Sequence, residues 1–314
     1  MKRNVIIITF ILLALTVAGC NAAKDSDKEG LTIYTSIYPI QYAVERIGGD
    51  TVDAKSVYPP GVDAHTYEPT TKTMTSIASG DAFIYLGAGM EGFAESAADA
   101  LQSEGVQLVE LGKHEELFHT DAEHHEDADH ADDGHHHGDH NPHIWLDPLR
   151  MIDMADLIKQ ELIELNPDKK TLYTDNFNAL KEDLLNLDNS YQETLKAKAN
   201  KKILVTHAAY GYWEERYGIE QVAIKGLSSS DEPSQKELTS IIDQAKEYKL
   251  HYILFEQNSS DRVSTIMQDQ LGAKVLRIHN LSVLTEDDIK NEEDYLSLMK
   301  HNLEVLDKAI DEGR

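Results

Sequence analysis

Ten of the chain's fifteen histidines fall between His114 and His143, in a tract that reads HEELFHTDAEHHEDADHADDGHHHGDHNPH. Imidazole nitrogen and carboxylate oxygen are the usual ligands of a borderline divalent cation such as Zn²⁺. His114, His119, His124, His125, His130, His135, His136, His137 and His140 read as a weak metal-gathering loop over residues 114–140. The tract is too polar to bury and has no apolar period, so a mobile loop is expected. The remaining chemistry rests on histidines set apart along the chain. His65 lies in PPGVDAHTYEP, a stiff turn after an apolar run. His143 sits in NPHIWLDP, bracketed by prolines. His207 ends the apolar run ILVTH. Each alone is an ordinary surface or capping residue, but three such residues beside a histidine tract point to one metal site.

Strand and helix signals alternate in two groups, and these elements must position the histidines. Strands are expected at Leu31–Ser36, Val52–Tyr58, Ala82–Leu86 and Gln107–Leu111. A second set is Lys202–Thr206, Gln221–Lys225, Tyr252–Phe255 and Lys274–Ile278. Helices are expected between them at Ile40–Ile47, Lys72–Ser79, Gly92–Gln102, Gln235–Tyr248 and Ser259–Leu271. This pattern argues for an α/β protein with two Rossmann-like lobes, each a mostly parallel four-stranded sheet. Between the groups, Met151–Leu165 reads as a helix, closed by Asn166-Pro167-Asp168. From Lys169 to about Ala199 no Gly or Pro occurs. Leu172, Phe177, Leu180, Leu184, Leu187, Tyr191 and Leu195 there keep helical spacing. One backbone helix of roughly 45 Å is expected to join the lobes. Residues 31–165 form the first lobe, 166–200 the linking helix and 201–314 the second lobe. In open α/β sheets ligands bind beyond the carboxyl ends of strands, which would bring His65, His143 and His207 to one cleft.

The ends of the chain suggest where it works. Lys2 and Arg3 precede an apolar run from Val5 to Val17, too short to span a membrane comfortably. It ends in Val17-Ala18-Gly19-Cys20, which resembles the lipobox of bacterial lipoproteins. Residues 1–19 are expected to be a signal peptide, Cys20 the lipidation site and 20–30 a tether. Cys20 is the chain's one cysteine, so internal disulfides and cysteine-type zinc sites are excluded. The formal charge of −27 disfavours nucleic-acid binding and suits attraction of cations.

Several segments carry a family resemblance. They are Thr35-Ser36-Ile37-Tyr38-Pro39, residues 60–69 including DAHTYEP, 81–89, NPHIWLDP, THAAYGY over 206–212, and Phe255-Glu256. With them the chain resembles the cluster A-I solute-binding lipoproteins of zinc and manganese ABC importers, in the zinc branch. The resemblance implies two lobes on one backbone helix. It also implies Zn²⁺ as cargo, an ABC permease as partner, a lipid anchor on the outer face of the cell membrane and a monomer. It places the metal on His65, His143 and His207. His279, after the last strand, is the expected fourth ligand, ahead of water and Glu256. No enzyme is expected. The alternatives are a surface adhesin, a zinc buffer, or a zinc hydrolase using 135–140, which fits H-x-H-x-D-H. That match lies in a tract built of the same letters, and no expected strand precedes it.

Overall fold

The computed structural model describes residues 30–119, 140–258 and 262–311. The signal segment, Cys20, most of the tether, and six of the tract histidines (His124, His125, His130, His135, His136 and His137) lie outside the described residues. So does 135–139 of the hydrolase-like stretch. Among the described residues, no helix is long and apolar enough to cross a membrane.

The first lobe runs β1 (Leu31–Thr35), α1 (Tyr38–Gly48), β2 (Val52–Ser56), α2 (Thr71–Ala78), β3 (Ala82–Tyr85), α3 (Ala94–Leu101) and β4 (Gln107–Glu110). Its sheet has the order β2-β1-β3-β4, and every pairing is parallel. The second lobe repeats the plan with β5 (Lys202–His207), α6 (Gly211–Tyr217), β6 (Glu220–Lys225), α7 (Gln235–Glu247), β7 (Tyr252–Glu256), α8 (Arg262–Leu271) and β8 (Lys274–Ile278). Its order is β6-β5-β7-β8, again parallel throughout. Two central strands, β3 and β7, are buried along their whole length, as a sheet covered on both faces requires.

Between the lobes, α4 (Pro148–Leu165) starts on a proline and is capped by Asp147, whose carboxylate accepts from the Leu149 N–H. The rod α5 (Lys170–Lys196) then runs 27 residues without a break, roughly 40 Å. Its buried stripe is Tyr173, Phe177, Leu180, Leu184, Leu187, Tyr191 and Leu195. Leu172, expected on that stripe, is instead exposed. Stepping back from Phe177 by four reaches Tyr173, and Leu172 falls one position off the face. Two further helices, α9 (Glu286–Lys290) and α10 (Tyr295–Asp311), close the chain. α10 packs on both α5 and β8.

One continuous apolar core joins both lobes to the rod, and a smaller cluster sits in the second lobe around Leu204, Ile224, Ile253 and Phe255. Buried polar bonds also cross between lobes. Trp145 Nε1 donates to the Asn280 carbonyl (2.8 Å), and Tyr295 Oη donates to the Trp145 carbonyl (2.6 Å). Trp213 Nε1 donates to the Leu146 carbonyl (2.7 Å). A rod shared by both lobes and a common core leave little freedom for hinge bending.

Candidate metal centre

The three isolated histidines meet at the carboxyl ends of the two sheets. His207 is the last residue of β5. His65 lies on the loop between β2 and α2, where its backbone N–H donates to Asp63 Oδ1 (2.9 Å). His143 immediately precedes a single 3₁₀ turn, Ile144–Leu146, that leads into α4. Their ring centroids are 5.3, 5.9 and 5.1 Å apart for the 65–143, 65–207 and 143–207 pairs. One nitrogen from each lies within 4.8 Å of the other two.

Each ring is oriented by a partner on its other side. His143 Nδ1 donates to Asn141 Oδ1 (2.8 Å), which fixes the tautomer and leaves a lone pair on Nε2. His65 is hydrogen-bonded to the backbone of Met90. His207 Nδ1 sits 2.6 Å from Glu256 Oε1. Glu256 is itself held by Tyr210 Oη (3.2 Å) and Asn280 Nδ2 (3.0 Å). Such outer partners set ring direction and basicity in metal sites.

The facing nitrogens carry the argument. Nε2 of His143 and Nε2 of His207 are 3.3 Å apart. Two nitrogens bound at ~2.0–2.1 Å to one tetrahedral Zn²⁺ are separated by about 3.3 Å. Two neutral rings protonated on their outer nitrogens would aim lone pair at lone pair, an arrangement that a shared cation relieves. Burial differs around the cluster. His143 and His207 are almost fully buried, while His65 is half-buried and faces the solvent side.

Proton affinities diverge accordingly. Burial, then the charges of His207 and His65, hold His143 well below the ordinary imidazole value. Burial and His207 also lower His65. For His207 burial pulls downward too, but the Glu256 carboxylate outweighs it and the net shift is upward.

The fourth-ligand expectation needs correction. His279 follows β8 as anticipated, but its ring is engaged elsewhere. Its Nδ1 accepts from the Leu281 N–H (2.9 Å) and its Nε2 lies 3.1 Å from Asp288 Oδ2. Its backbone is clamped by Asn302 in both directions. With both nitrogens used, His279 fastens α9 to the sheet and is not part of the cluster. Glu256 is not among the converging ligands either, since it lies behind His207 on the Nδ1 side. Trp145 packs 5.3 Å from His143, and Tyr210 is buried against Glu256. Tyr67 packs on Tyr58 and Phe93. Asn141, which orients His143, went unremarked in the sequence. A side-chain amide two residues before a candidate ligand gives no pattern to read.

The family model described as ZnuA, "Zinc-uptake complex component A periplasmic", matches residues 33–309. The chain belongs to the ZnuA family. The high-affinity zinc uptake system protein ZnuA of Bacillus subtilis is 31% identical over 309 residues, 96% of each chain. The zinc-binding lipoprotein AdcA of Streptococcus pneumoniae is 33% identical over 310 residues. Our ZnuA-family chain spans about 60% of that relative's length. The Zn(II)-bound ZnuA-like domain of the same AdcA superposes with a TM-score of 0.73 at 32% identity, covering 90% of this chain and 99% of that one. The laminin-binding protein Lmb of Streptococcus agalactiae, described as both adhesin and metal transporter, gives 0.74 at 27% identity, covering 90% of this chain and 100% of that one. The two-lobed α/β fold on one backbone helix is thus the family's fold.

Proposed function

We propose that this chain is the extracytoplasmic zinc-binding component of an ABC importer, with His65, His143 and His207 as metal ligands and solvent in the fourth position. The observation that carries the reading is the 3.3 Å separation of the His143 and His207 Nε2 atoms, each ring held from behind. Three imidazoles favour Zn²⁺ over Mn²⁺, which prefers more oxygen. His65, half-buried, is the side by which the ion enters and leaves. Cys20 carries the lipid that keeps the protein on the outer face of the membrane, and a permease receives the ion. The protein acts as a monomer.

A three-histidine set with an open position is also a donor set of hydrating zinc enzymes. Here the nearest carboxylate braces His207 from behind and is not aimed at a ligand water, which favours holding the ion over turnover. Isothermal titration of the His65→Gln/His143→Gln/His207→Gln protein tests the site. Loss of the tight zinc isotherm is expected, and unchanged tight binding overturns the assignment.

A further inference from the structure

One buried carboxylate of the first lobe takes no part in the cleft described above. Glu91, on the turn between β3 and α3, is only 5% exposed and lies outside the converging set. We propose that Glu91 is the positioning residue of His65, holding the 86–91 turn so that the Met90 carbonyl fixes the direction of the His65 ring. The proposal rests on the cleft assignment and adds to it a residue that offers the ion no atom.

The turn needs holding. After β3 the chain reverses through Gly87, Ala88 and Gly89, whose φ angles are 74°, 50° and 77°. Left-handed backbone is unfavourable for an L-residue, and Ala88 adopts it between two glycines. Gly87 also has no room for a side chain, since a Cβ there would lie 2.6 Å from Glu110 Oε1. Such a turn persists only where its surroundings over-determine it. Glu91 does so from inside. Its Oε1 accepts from the Leu86 N–H (3.0 Å) and its Oε2 from the Gly87 N–H (2.8 Å). Bonds to a carboxylate are stronger than bonds to a neutral acceptor. The Met90 N–H donates to the Gly87 carbonyl (2.9 Å), and the Gly112 N–H to the Leu86 carbonyl (2.6 Å). Burial opposes the charge on Glu91, and backbone N–H groups are what counter it.

The same turn is pressed against the loop that carries His65. The His65 ring is hydrogen-bonded to the Met90 backbone, and the contact raises the ring's affinity for a proton. The ring is therefore the donor and the carbonyl the acceptor. An N–H given to Met90 leaves a lone pair on the other nitrogen, the one free to face an ion. Gly92 backs the loop so closely that a Cβ there would lie 3.0 Å from the His65 carbonyl oxygen. His143 and His207 have side-chain braces in Asn141 and Glu256. His65 has a backbone brace instead, and the acid that fixes it is the next residue along.

The test is a double-mutant cycle in the full chain, read by competition calorimetry with zinc and by stopped-flow release of zinc into excess chelator. Glu91→Gln keeps the size of the side chain but sets an amide donor against a backbone N–H. It should weaken zinc binding about 10- to 100-fold, as loss of an outer partner does, with release faster by a similar factor. In the His65→Gln background the same change should alter affinity less than about twofold, because the ring it acts on is gone. A role confined to folding moves both backgrounds alike, and that result overturns the proposal while leaving the cleft standing. Unchanged affinity of Glu91→Gln in the chain that keeps His65 overturns it too. Gly89→Ala strains the same turn from its exposed tip, where nothing lies within 4 Å of the new Cβ. It should show the same dependence on His65 and decides the matter if Glu91→Gln does not fold: equal losses in both backgrounds overturn the proposal. Tight zinc binding that survives His65→Gln unchanged overturns the cleft assignment and the proposal together.

Discussion

Glu256→Gln separates a brace from a ligand. Glu256 touches the outer nitrogen of His207 at 2.6 Å and contributes no atom to the converging set. Removing its charge should weaken zinc binding as loss of an outer partner does, by about 10- to 100-fold, or about 1.4–2.7 kcal/mol. The pH profile gives the sharper signature. Zn²⁺ binds the neutral ring, and Glu256 raises the proton affinity of His207. Wild-type affinity should therefore fall about tenfold per unit as pH drops through that raised value. In the variant the proton is held less tightly, so the fall begins at lower pH. The gap between the two proteins is then widest in alkali and narrows on acidification. Competition calorimetry against a chelator between about pH 5.5 and 8.5 measures it, with the apo melting temperature controlling for the lost Asn280 contact. A loss as large as that of His207→Gln at every pH would make Glu256 a direct ligand and refute the reasoning. Unchanged affinity throughout would deny it any role.

Other outcomes follow from the same geometry. His143→Gln should cost more than about 100-fold in zinc affinity, beyond the range of an outer partner, in the same calorimetry. Asp147→Asn removes a buried carboxylate that caps α4 and receives Arg216 at two oxygens. Urea denaturation should show a loss of about 3 kcal/mol, at the low end because Arg216 is partly exposed. Leu184→Ala, at the fully buried centre of the rod, should cost about 2–5 kcal/mol. Exposed Leu185→Ala should stay within about 0.5 kcal/mol by the same method. Small-angle scattering should show the same overall dimensions with and without zinc, because α5 and the common core tie the lobes together.

Local signals carried far where spacing alone sets structure. Short apolar runs between turn signals marked all eight strands, with ends displaced by two residues at most, although only β3 and β7 are buried along their whole length. The unbroken rod followed from a stretch without Gly or Pro, which gives the backbone no place to stop. α10 was not anticipated, although its apolar residues Tyr295, Leu298, Met299, Val305 and Leu306 are buried together. Its polar Lys300, His301 and Asn302 interrupt the pattern. Asn302 is buried because it clamps His279, a pairing across 23 residues that no local period records.

The candidate cleft divides the same way. Residue type, the placement of His65 and His207 beyond apolar runs and the family resemblance carried by NPHIWLDP nominated His65, His143 and His207 from the sequence, since imidazole chemistry and short motifs are both written locally. Which nitrogen each ring presents was decided only in three dimensions, by Asn141, the Met90 backbone and Glu256. His279 shows the cost of lacking that information. By type and position it matched the other three, yet Asp288 and the Leu281 N–H take both of its nitrogens. Composition and spacing determine which atoms could bind a cation. The direction of a lone pair depends on neighbours far along the chain, and only the folded packing brings those neighbours into place.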